Sequence, residues 1–193
     1  MIAKVYSYAL VGIEALLVEV EVDIASGLPA FATVGLPDSS VRESRERIKA
    51  ALQNSGYPFP LERITVNLAP ASLRKEGSHF DLPIAIAVLA AQEVIPRTAL
   101  ERVVCAGELS LDGAVKSVSG CLPMAVHAAR QGFQAFLLPA ENAAEAAVVS
   151  PSLQVMPVSH LAQAVDHLSG TAPISAHEFV AIEDTGILPA DAP

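Results

Sequence analysis

Apolar and polar residues alternate through ALLVEVEVDIASG: Leu16, Val18, Val20, Val22 and Ile24 fall on one side, Glu19, Glu21 and Asp23 on the other. A period of two residues predicts a half-buried strand. The preceding AKVYSYALVG is predicted as its hairpin partner, turning near Gly12, and PAFATVG, residues 29–35, as a third short strand. The period then lengthens. In GLPDSSVRESRERIKAALQNSG, Val41, Ile48 and Leu52 mark one edge of a helix, while Arg42, Arg45 and Lys49 line the opposite side. Ser40 followed by Glu43 fits a capping box, and Asn54-Ser55-Gly56 a helix stop. Arg42–Glu46 and Glu43–Arg47 stand at the spacing of stabilising ion pairs, so a solvated face of mixed charge is predicted.

PFP at residues 58–60 breaks the chain, and ERITVNLAP alternates again as a strand. KEGSHFDLPIAIAVLAA then leads into a helix from about Leu82 to Gln92. It carries no polar residue before Gln92, so it is apolar all round and must be buried. Asp81 is predicted as its N-cap, with Pro83 tolerated in the first turn. ERVVCAGELSLDGAVKSV reads as a hairpin turning at Asp112-Gly113. Helix, strand, short helix, strand and a final helix, HLAQAVDHLSG, follow in turn. Adjacent strands in the first half and strand–helix alternation in the second predict an α+β fold, a mixed sheet with βαβ units. The domain is expected to span 1–170. From Thr171 onward Pro, Ala and acidic residues show no sustained period, and 171–193 is predicted as a linker.

Composition narrows the function classes. With 52% hydrophobic and 17% charged residues, the chain has the balance of an ordinary, rather apolar globular protein. No apolar run approaches the ~20 residues of a membrane span, and the N-terminus lacks a signal-peptide layout, so a cytoplasmic protein without membrane partners is expected. A net charge of −9 argues against a sleeve for nucleic acid while leaving room for a local basic patch. Cys105 and Cys121 form no C-x-x-C pair, and two reduced thiols are the reading.

Ser78, His79 and Asp81 invite comparison with a catalytic triad. A triad needs Ser and Asp on opposite imidazole nitrogens, held by separate elements, whereas these three crowd into one short loop. There is no G-x-S-x-G and no G-x-x-x-x-G-K-[ST], so neither the hydrolase elbow nor the phosphate loop is present. GLPDSS precedes a helix N-terminus, a weak anion signal without a second glycine or a lysine. His160 and His167 lie too far apart for a metal clamp, and His79, His127 and His177 lack partners at ligand spacing. No catalytic, cofactor or metal residue is therefore assigned. Arg42, Arg45 and Lys49 are the candidates for contact with nucleic acid or another anionic partner.

Four segments together resemble one family: GLPDSSVRESRERIKAALQNSGYPFP, ITVNLAPASLRKEGSHFDLPIAIAVLAA, AGELSLDGAVKSVSG and AVHAARQGFQAFLLPAEN. In order, spacing and wording they resemble the N-terminal domain of the ComM/YifB proteins, the magnesium-chelatase-like AAA+ ATPases. The resemblance implies a ribosomal protein S5 domain 2-like fold, shared with the Lon peptidase domain. It also implies an AAA+ module beyond this chain that would bind ATP and Mg. The parent would be a hexameric helicase for DNA branch migration in natural transformation, its partners the AAA+ module, sister subunits and DNA. The positions matching the Lon dyad fall near Leu122 and near Phe80 or Asp81, neither of which can serve. The resemblance thus implies a Lon-like fold without peptidase chemistry. Two alternatives stand beside it: a residual serine peptidase using Ser78 with Lys75 or Lys116, and a purely structural oligomerisation module.

Overall fold

The computed structural model describes residues 1–181. Strands β1 (Ile2–Val11) and β2 (Glu14–Ala25) form the expected antiparallel hairpin around Gly12, with Val5 opposite Val20. β3 (Ala30–Val34) runs parallel to β4 (Arg63–Ala69), and α1 (Ser39–Asn54) connects them. The first half thus holds a parallel crossover of its own; its three elements were each expected from the sequence, but not their parallel pairing. Gly35, just after β3, has φ +99°, and a Cβ there would lie 2.1 Å from the Leu68 carbonyl oxygen. Only glycine lets the chain leave the sheet so close to β4.

α2 (Asp81–Ala91) follows, then β5 (Val103–Cys105), β6 (Glu108–Leu109), β7 (Val115–Lys116), α3 (Cys121–Arg130) and β8 (Ala135–Pro139). α4 (Ala143–Ala146), β9 (Gln154–Val158) and α5 (Leu161–Leu168) complete the described elements. One seven-stranded sheet has the order β3-β4-β2-β1-β5-β8-β9. Its β4-β2-β1 portion is antiparallel, and β1-β5-β8-β9 is parallel. This is the mixed α+β sheet expected. The stretch read as one long hairpin divides: β5 enters the main sheet, and only β6 and β7 pair, around the Asp112 turn.

Alternation along the strands sends side chains to two cores. Val5, Val20, Val22 and Leu137 pack with α1, α2 and α5; Tyr8, Val104, Phe136 and Leu138 pack with α3 and α4. All eleven residues of α2 are buried, as a helix without a polar face requires. Residues 171–181 contain no helix or strand. Ile174 nevertheless packs against the larger core, and the His177 amide donates to the Val155 carbonyl at 2.7 Å. The remainder of the expected linker, 182–193, lies outside the described residues. No helix among the described residues is long and apolar enough to cross a membrane.

Candidate functional site

A cleft of 610 Å³ opens where the start of α1, the turn Ser78–Phe80 before α2, strand β6 and the Ser117–Ser119 loop meet. α1 begins two residues earlier than the sequence suggests. Asp38 is its N-cap and accepts from the Val41 amide at 2.9 Å. Ser40, read as the cap, instead donates to Asp38 at 2.7 Å and accepts from the Gly77 amide at 3.1 Å. The carboxylate wins because it sits where the first free amides point, and Ser40 is released to tie α1 to the loop before α2.

Asp81 is not a cap either. Phe80 holds that position with helical dihedrals and no side-chain bond. The fully buried Asp81 carboxylate accepts Arg47 Nε at 2.7 Å and Nη2 at 3.0 Å, and the Leu109 amide at 3.1 Å. Burial pushes this carboxyl up to about 6, with Arg47 and the Leu109 amide pulling it back. Arg47 therefore leaves the solvated face assigned to it, and its expected partner Glu43 is replaced by Asp81. A bidentate pair in a partly dry setting outweighs an exposed helical pair.

Ser78, His79 and Lys75 are drawn into separate bonds. Ser78 Oγ donates to the Glu108 carboxylate. Lys75 is fully buried; its ammonium donates to the carbonyls of Gly35, at 2.7 Å, and Pro70. Its backbone bridges the same loops, through Leu36 and Asp38. Burial lowers its pKa. Lys116 lies across from Glu108 on β7 with an exposed side chain. Neither lysine is hydrogen-bonded to Ser78 among the described residues. His79, expected to lack a partner, brings Nε2 within 2.7 Å of the Tyr8 carbonyl and packs its ring 4.2 Å from Phe80. Because a carbonyl only accepts, Nε2 carries the proton and Nδ1 is left as an acceptor. Burial holds this imidazole below its ordinary value of 6.5, so it stays neutral at neutral pH.

The three basic candidates on α1 face two different clefts. Arg42 lines one of 490 Å³ with Arg74, beside Leu36–Ser39. Arg45 and Lys49 line another of 180 Å³, floored by Phe31 and Phe59, whose rings stack 6.2 Å apart. Among the described residues no cluster of His, Cys, Asp or Glu is arranged to hold a metal ion. His160 caps α5 through Nδ1, and both cysteines are buried and free. Glu108 and Arg47 were missed from the sequence. Arg47 carries a weak signal in hindsight: it stands one residue before Ile48, at the border of the apolar edge.

The model of the Mg-chelatase subunit ChlI matches residues 20–142, which hold α1, α2 and every residue lining the Ser78 cleft but Leu10. The chain belongs to the Mg-chelatase ChlI family. It is 45% identical over 149 residues to YifB of Salmonella typhimurium, covering 77% of this chain and 29% of YifB. Over 149 residues it is also 44% identical to the competence protein ComM of Haemophilus influenzae, with 77% of this chain and 29% of ComM covered. An uncharacterized protein of Mycobacterium tuberculosis is 43% identical over 170 residues, 88% of this chain and 34% of that protein. The chain thus spans about a third or less of the length of these relatives.

Proposed function

We propose that this chain is the non-catalytic N-terminal domain of a ComM/YifB-type AAA+ ATPase. The parent would be a cytoplasmic, hexameric DNA branch-migration helicase of natural transformation or recombination, with ATP and Mg held by its own AAA+ module. The identity to YifB and ComM over 149 residues carries this reading. The absence of a lysine bonded to Ser78 among the described residues supports the non-catalytic half. The fold is then a Lon-like, ribosomal protein S5 domain 2-like scaffold over 1–170, followed by a linker.

The domain's work in the parent is engagement of DNA or sister subunits. Arg42, Arg45 and Lys49 are the proposed DNA contacts. Cations beside the stacked Phe31 and Phe59 favour a single-stranded segment, since bases stack on aromatic rings while phosphates meet the charges. The test is a gel shift of the full-length parent with single-stranded DNA across a salt series. Arg42→Glu with Arg45→Glu should weaken binding and flatten its salt dependence. Unchanged binding and slope would remove this helix from the DNA surface.

A further inference from the structure

The Ser78 cleft is walled by groups that accept hydrogen bonds. Asp38, Glu76 and Glu108 contribute carboxylates, Ser117 and Ser119 hydroxyls, and no Lys or Arg is among the lining residues. Two of the acceptors left unused belong to Glu108 and His79. Glu108 takes Ser78 on Oε2, leaving Oε1 without a partner among the described residues. His79, only 5% exposed, spends Nε2 on Tyr8 and keeps an unpartnered Nδ1 among the described residues. Gly77 keeps that nitrogen accessible: a Cβ there would lie 3.0 Å from Nδ1 and 3.5 Å from Cε1. Both Gly77 and His79 line the cleft.

We propose that this cleft binds the cationic side chain, arginine or lysine, of a partner polypeptide. A neutral imidazole nitrogen, a half-free carboxylate and serine hydroxyls converge on one space, which calls for a ligand rich in N–H donors and positive in charge. A guanidinium offers five donors in a planar fork and no acceptor, so it meets such a wall without conflict. An anion would face the Asp38 and Glu108 carboxylates beside Glu76, which is itself paired with Arg74 at 2.9 Å. A metal ion is disfavoured by the lack of a ligating cluster among the described residues. The chain's net charge of −9 draws cationic segments toward it generally, and the buried imidazole makes this cleft the selective point. The proposal is independent of the DNA surface on α1.

The experiment is histidine-ring-selective NMR of the whole chain near neutral pH, titrated with an acetylated tri-arginine amide and, separately, with spermidine. The peptide should shift the His79 Nδ1 resonance and the amides of Gly77 and Ser119. Glu108→Gln, which can still accept from Ser78, should weaken peptide binding by about tenfold. Asp38→Asn, which keeps the cap, should weaken it in the same direction. A His79 ring that stays still while the peptide binds elsewhere overturns the proposal, as does an affinity unchanged in both variants. Tighter binding of spermidine than of the peptide overturns the polypeptide as its source.

Discussion

Arg47 grips both oxygens of Asp81, at 2.7 and 3.0 Å, and so fastens the amphipathic helix to the first turn of the buried one. Asp81 also holds the Leu109 amide, which brings strand β6 into the same knot. Asp81→Ala leaves a partly buried guanidinium and an amide unmet. It should cost about 3 kcal/mol of unfolding free energy, where loss of a simple cap would cost about 1. Urea denaturation of the variant separates the two values.

Lys75 is a strut. Its ammonium bonds only to carbonyls, and its backbone pairs with the loop after β3. Lys75→Met keeps the aliphatic stem but strands those carbonyls, and should lower stability by about 2 kcal/mol or more. A thermal melt of Lys75→Met matching the wild type would contradict that role.

Gly35 supplies the sharpest steric test. Gly35→Ala places a methyl 2.1 Å from the Leu68 carbonyl oxygen, in a backbone conformation that L-residues avoid. β3 should detach from β4, seen as rapid hydrogen exchange of the β4 amides bonded to β3.

Two buried groups give opposite pH dependences. The unfolded chain protonates His79 near 6.5, the folded chain only at lower pH, so on its account stability falls as pH drops below 6.5. Asp81 acts the other way. Its folded value of about 6 exceeds 3.8, so between those values acid favours the folded state. His79→Gln, which can still donate to Tyr8, should remove the first dependence. The stability difference between wild type and variant should then shrink as pH falls from 6.5, as read by denaturant titrations.

What the sequence reveals follows from the range of each interaction. The hairpin, α2 and the βαβ half were legible because their signals are periodic and local. The caps of α1 and α2 were misassigned because Ser40 and Asp81 take partners 37 and 34 residues away in sequence. Those partners follow only once the helices are packed. Glu108 was invisible for the same reason: its role depends on β6 lying beside the Ser78 turn, which no local pattern encodes. The basic face of α1 was readable as a set, but its division between two clefts arises from neighbouring loops.

The proposal that the Ser78 cleft carries no peptidase chemistry is tested most directly by treating the folded chain with a serine-reactive fluorophosphonate and analysing it by intact-mass spectrometry. With Ser78 bonded to Glu108 and Lys75 committed to carbonyls, no adduct should form on Ser78 and casein should remain intact. An adduct or casein cleavage that disappears in Ser78→Ala would contradict it.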